Sequence, residues 1–216
     1  MRIVHLDDSP NRSQVRVSLA SGEEHQLWIE ANRDLSQIAD CWLFLMLPIG
    51  MGLAEDIEIV GTLSKTAVTS FYKAQEALLE KHPHLAKIKL KHNGELLDNL
   101  ALPSPRKVAC FFSGGLDSSY TAETIEEISS LIAVWGFDIQ VWNEKHWKLT
   151  SELLQEHADE MGKELILVRT NIREISNGLL SWGRDYHGSA LAGVANALSN
   201  HLETVYVSAT HSVDTN

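Results

Sequence analysis

The chain of 216 residues has little cysteine, little positive charge and no long apolar run. Each shortage excludes something. Cys41 and Cys110 are the only thiols, too few for a four-thiolate zinc site or a disulfide scaffold. Both sit inside apolar runs, as buried thiols of a reducing compartment do. The basic residues number 18 against 29 acidic ones, a formal net charge of −11. A sequence-independent grip on phosphate backbones needs clustered Lys and Arg, so nucleic acid is a poor candidate partner. The longest apolar stretch, Cys41 to Leu47, is far shorter than the roughly 20 residues of a membrane span. The N-terminus, MRIVHLDDSP, lacks the apolar core of a signal peptide. A soluble cytoplasmic protein is expected.

What remains is ordinary globular composition, enough for one large domain or two small ones. Residues 1–105 read as a mixed α/β unit. Val15, Val17 and Leu19 alternate with polar neighbours, and His25–Glu30 is the hairpin partner across Ser21-Gly22-Glu23. Cys41–Leu47 reads as a buried strand, with Asp56–Val60 and Lys87–Lys91 as further strands. Helical spacing over 65–81 predicts a helix capped by Ser64 and ended by His82-Pro83-His84. Leu102–Arg106, with two prolines, reads as a linker. Residues 106–216 alternate short apolar runs with helical patterns. The runs are Val108–Phe112, Leu131–Phe137, Leu165–Val168 and Thr204–Val207. Helices are expected from the first turn to about Ser130, over 144–161 with Leu149, Leu153, Leu154, His157 and Met161 on one face, and over 187–200. This alternation predicts a doubly wound parallel sheet, preceded by the smaller mixed domain.

The chemistry-bearing motif follows the first of these runs: Ser113-Gly114-Gly115-Leu116-Asp117-Ser118-Ser119. Ligands of open α/β sheets bind beyond the carboxyl ends of strands. Two glycines let backbone N–H groups converge on phosphate oxygens, and the following helix N-terminus adds partial positive charge. An aspartate among anion-binding groups makes sense with a cation between, so Asp117 reads as a Mg²⁺ partner. The stretch is not a Walker A loop, a dinucleotide fingerprint or a nucleophile elbow.

Ser113–Ser119 after a strand resembles the pyrophosphate-binding loop of the PP-loop ATP pyrophosphatases, the nucleotide-alpha-hydrolase group. The text around Phe111–Ser119, Gly136-Phe137-Asp138 and Val207–Ser212 is most similar to its asparagine-synthase-like or 7-cyano-7-deazaguanine-synthase-like branch. The resemblance implies ATP and Mg²⁺ as cofactors and a carbon–nitrogen ligase chemistry. A substrate carboxylate attacks the α-phosphate, pyrophosphate leaves, and a nitrogen nucleophile displaces AMP from the adenylate. It implies that Ser113, Gly114, Gly115, Leu116, Asp117, Ser118 and Ser119 hold pyrophosphate and that Gly136, Phe137 and Asp138 flank adenosine. Arg184 is a candidate cation for the α-phosphate and His187 a candidate proton acceptor. Ser208, Thr210 and His211 would line the same crevice. His82 and His84 flank a proline and offer no convincing metal site.

Three departures bound the resemblance. Residue 2 is Arg2, not the cysteine of a built-in glutaminase. No cysteine cluster follows the fourth run. The second half, about 110 residues, looks short, so a continuing segment or a partner chain is expected to complete substrate binding. The competing readings are a catalytically incomplete nucleotide-binding module acting with a partner and, against charge and cysteine count, a tRNA-thiolating enzyme. The expected substrate is a small-molecule or peptide carboxylate.

Overall fold

A computed structural model describes residues 1–6, 9–98 and 100–208. The first half contains β1 (Arg2–His5), β2 (Arg12–Ser18), β3 (Glu24–Ala31), α1 (Asp40–Leu53), β4 (Ile57–Val60), β5 (Leu63–Ser64), α2 (Lys65–Lys81), β6 (Leu90–Asn93) and β7 (Leu96–Leu97). The second contains β8 (Lys107–Phe111), α3 (Leu116–Thr124), β9 (Ile128–Trp135), α4 (Glu144–Glu160), β10 (Glu164–Thr170), α5 (Arg173–Ser176), a π-helical turn (Trp182–Tyr186), α6 (His187–Ala197) and β11 (Leu202–Tyr206).

Among the described residues, nine strands form one sheet in the order β11-β8-β9-β10-β3-β2-β1-β4-β6. Most neighbouring pairs are parallel; the antiparallel ones are β1–β2, β2–β3 and β3–β10. The fold is thus α/β with a large, mostly parallel central sheet, compatible with a Rossmann-like arrangement. The two halves meet strand to strand. Val168 faces Ala31 and Thr170 faces Ile29 across β10 and β3. Side chains reinforce that seam: Asn171 Oδ1 accepts from the Trp28 N–H at 2.9 Å, and its Nδ2 donates to the Gln26 carbonyl at 2.9 Å. One continuous apolar core draws on both halves, with α1, α2 and α6 on the same face of the sheet. A second cluster, built from Cys110, Leu131 and Leu165 against Ala122, Leu154 and Ala158, puts α3 and α4 on the opposite face. No helix among the described residues is long and apolar enough to cross a membrane.

Most expected elements of the first half are present, including α2 with its cap: Ser64 Oγ accepts from the Ala67 N–H at 3.0 Å. The expected strand over Cys41–Leu47 is instead the middle of helix α1. Its run of apolar residues is buried nearly all round, so no amphipathic period marks it, and a short window of such a helix looks like a core strand. Tyr186 donates its hydroxyl to the Leu45 carbonyl at 3.0 Å, and Ser189 donates to Phe44 O at 2.7 Å. Gly193 brings α6 so close that a Cβ there would sit 2.5 Å from Leu45 Cγ.

The strand expected at 87–91 begins only at Leu90. The Ile88 N–H is taken by Gln75 Oε1 and the Lys89 N–H by Asp56 Oδ1, so side chains replace the ladder there. Helix α3 stops at Thr124, short of the expected Ser130, because Ile128–Ser130 pair with β8 as the start of β9. That strand in turn ends at Trp135, not Phe137. On α4, Leu154 is buried while Leu149 and Leu153 are more than half exposed, so the buried face is narrower than the leucine pattern suggests.

Candidate functional site

Strands β8, β9 and β10 step across the sheet in one direction, and β11 returns to the other side of β8. Such a reversal opens a crevice at the carboxyl ends of the strands. A cavity of about 450 Å³ lies there, walled by the loop after β8, the turn after β9, the start of α4 and the start of α6.

The loop after β8 needs its glycines. Gly114 takes φ +74, and a Cβ on it would meet Leu154 Cδ2 at 2.9 Å. Gly115 is the extended residue that opens α3, with no side-chain cap. The buried Ser118 hydroxyl ties the turn together. It donates to the Gly115 carbonyl at 2.9 Å and accepts from the Ser113 N–H at 3.3 Å. Ser113, Gly115, Leu116, Asp117 and Ser118 all line the cavity. Gly114 and Ser119 do not; Gly114 shapes the turn, and the Ser119 N–H closes the first helical bond to Gly115 O at 3.0 Å. Asp117 is exposed, and no hydrogen bond or ion pair engages its carboxylate among the described residues. The first-turn N–H groups of α3 have no intrahelical acceptor, as at any helix start.

The opposite wall is set by Gly136. At φ +108 its backbone passes so close to Thr170 that an added Cβ would sit 1.8 Å from the carbonyl oxygen. This turn delivers Phe137 and Asp138 to the cavity, while Gly136 itself stays behind the lining. Asp138 Oδ1 accepts from Trp182 Nε1 at 3.1 Å. His187, the first residue of α6, also lines the cavity. Burial is the main influence on its imidazole; Asp138 favours the cation and Arg173 opposes it, and the net effect lowers its pKa below the ordinary 6.5.

Arg184 lies apart from the cavity lining. Its Nε and Nη2 bond to the carboxylate of its neighbour Asp185 at 2.9 and 3.2 Å. A π-helical turn carries an extra residue per turn, and here it sends Asp185 inward and Arg184 to the surface. His82 Nδ1 and His84 Nε2 approach the same carboxylate at 3.4 and 3.3 Å. No cluster of three or more metal-binding side chains exists among the described residues. Ser208 lines the cavity and donates to Thr121 Oγ1 at 2.9 Å; Thr210 and His211 lie outside the described residues.

His146, Trp147 and Thr150 on α4 complete the lining and escaped the sequence reading. Their signal was Asn143, which caps α4 by accepting from the His146 N–H at 3.3 Å and so fixes which residues stand at the helix start. Trp147 stacks on Trp135 with ring centroids 5.6 Å apart and planes 8° from parallel. Among the described residues no Lys or Arg lines the cavity. Comparison of the chain with protein-family models, with curated proteins and with solved structures gave no match.

Proposed function

We propose that this cavity binds ATP, with pyrophosphate in the 113–119 loop of a doubly wound PP-loop unit, and adenylates a small-molecule or peptide carboxylate. One observation carries the reading. Residues from four separate places in the chain, Ser113 with Gly115–Ser118, Phe137–Asp138, Trp147 with Thr150, and His187, line one cavity beyond the strand ends. A glycine turn feeding an uncapped helix N-terminus suits a phosphate group.

Mg²⁺ fits the donor set. It takes one or two carboxylates and completes its shell with water and phosphate oxygens. Asp117 offers one unengaged carboxylate in the cavity. When bound there it would offset charge growing on the leaving pyrophosphate. The protein's own part is to hold phosphate oxygens on fixed N–H groups and to keep water from the α-phosphate. A carboxylate oxygen attacks the α-phosphorus as the bond to pyrophosphate breaks. A nitrogen nucleophile then attacks the acyl carbon, AMP leaves with the C–O bond electrons, and neutral His187 takes the nucleophile's proton.

A second reading, a nucleotide-binding module that acts with a partner chain, draws on the missing cation: among the described residues no Lys or Arg lines the cavity, and Arg184 is bound to Asp185. Thermal unfolding with Mg²⁺ and ATP or pyrophosphate tests binding. Ligand at about 100 times Kd stabilises by about 2.7 kcal/mol, several degrees for a chain of this size. A shift that Asp117→Ala removes supports the loop, and AMP release with candidate carboxylates separates enzyme from module. No shift with either ligand overturns both readings.

A further inference from the structure

Two residues stand behind the cavity wall and touch all three residues on its far side. Arg173 Nη1 donates to the Phe137 carbonyl at 3.1 Å, and its Nε donates to Asn177 Oδ1 at 2.8 Å. Its guanidinium lies 4.3 Å from the centre of the Trp182 ring. Trp182 Nε1 donates to Asp138, and its ring meets Phe137 and His187 with centroids 4.9 and 5.0 Å away. Neither Arg173 nor Trp182 lines the cavity.

We propose that Arg173 and Trp182 are positioning residues: a cation stacked on an indole that fixes the Phe137–Asp138 turn and holds the His187 ring at the cavity wall. The geometry needs each part. Only a guanidinium donates in two directions while lying flat on a ring. Only an indole offers a ring to Arg173, Phe137 and His187 together with an N–H for Asp138. The π-helical turn supplies the register, setting Trp182 five residues before His187 with both rings in contact.

The charged groups acting on His187 are Asp138, from the turn after β9, and Arg173, from α5. Helix α1, packed against α6, carries only Asp40, whose carboxylate is bonded to Ser64. Arg184 and Asp185 on the preceding turn are bonded to each other. Arg173 is therefore the cation that opposes protonation of His187.

The proposal rests on the nucleotide reading only for its consequence in catalysis, and its test does not need turnover. The His187 resonance, assigned with a His187→Gln variant, is titrated by NMR. Arg173→Gln is expected to raise the His187 midpoint, and Arg173→Lys, which keeps the charge, to restore most of the wild-type value. Trp182→Phe keeps a ring and deletes the N–H to Asp138, so ATP affinity is expected to fall about fivefold with pyrophosphate affinity unchanged. An unmoved midpoint in a folded Arg173→Gln protein, or equal shifts in the Gln and Lys variants, overturns the proposal. So does an equal effect of Trp182→Phe on both ligands. A shifted midpoint in a protein that binds neither ligand keeps the brace and removes the nucleotide reading.

Discussion

Arg184 and Asp185, adjacent in sequence, are joined by two hydrogen bonds of 2.9 and 3.2 Å between guanidinium and carboxylate. The pairing occupies the one arginine that sequence reasoning assigned to the α-phosphate. Asp185 is buried and also accepts from the Ser181 N–H at 3.0 Å, with His82 and His84 close by. Arg184→Ala is therefore expected to leave Mg²⁺–ATP and pyrophosphate binding within about twofold, since the side chain it removes is exposed and does not line the cavity. Asp185→Ala leaves the Ser181 N–H and Arg184 without their shared acceptor and strips the anchor from the turn that precedes His187. It should lower the unfolding midpoint clearly more than Arg184→Ala. Calorimetry and ligand titration on the two variants check both statements.

The pairing of Arg184 with Asp185 shows where sequence ran out. Period and punctuation are local properties, so the glycine loop, the Ser64 cap and the βαβ alternation were legible. Ser113–Ser118, Phe137, Asp138 and His187 do share one cavity, because a strand-to-helix turn in an open sheet can face only one end of it. A π-helical turn has no simple sequence signature, and shifting the register by one residue exchanges the inward and outward positions of Arg184 and Asp185. Helix α1 hid for the opposite reason: burial on all sides erased its periodicity. The union of both halves in one sheet depends on Val168 and Thr170 finding Ala31 and Ile29, more than 130 residues away in the chain, which no local pattern announces.

Glu164 sets an acid limit on stability. It lies at the start of β10, where burial alone would raise its pKa. Hydrogen bonds from His201, Lys107, Ser130 and Arg33 outweigh that and bring it down to about 2. A depressed carboxylate stabilises the fold above its unfolded value, near 4.5, and loses that contribution as pH falls toward 2. The contribution is on the order of 2–3 kcal/mol. Urea unfolding at pH 7, 4.5 and 3 should show stability falling across that window in the wild type. In Glu164→Gln the fall should be visibly shallower, with lower stability at pH 7.

Gly136 admits no side chain. Its φ of +108 disfavours any L residue, and an added Cβ would stand 1.8 Å from the Thr170 carbonyl oxygen, a backbone atom in a strand that cannot swing aside. Gly136→Ala is expected to destabilise by on the order of 3 kcal/mol. Gly162, also at positive φ (+65) but with open space around its Cβ position, is the control. Gly162→Ala should cost only about 1 kcal/mol. Equal losses in the two variants would show that the contact with Thr170 does not restrain the turn.

His187 separates holding a nucleotide from using it. It lines the cavity half-buried, with burial lowering its pKa, while the loop after β8 supplies the phosphate contacts of the proposed reaction. His187→Gln keeps a polar group of similar size and should bind Mg²⁺–ATP within a few fold of wild type. As a general base His187 contributes about 10²–10⁴-fold in rate, so AMP release should fall by that order. Because its pKa lies below 6.5, the base form persists to lower pH than an ordinary histidine allows. The acid limb of the wild-type rate profile should therefore fall below pH 6.5 and vanish in the variant. A limb that survives His187→Gln would assign the titrating base to another residue, and His146, the other histidine lining the cavity among the described residues, is the one to replace next.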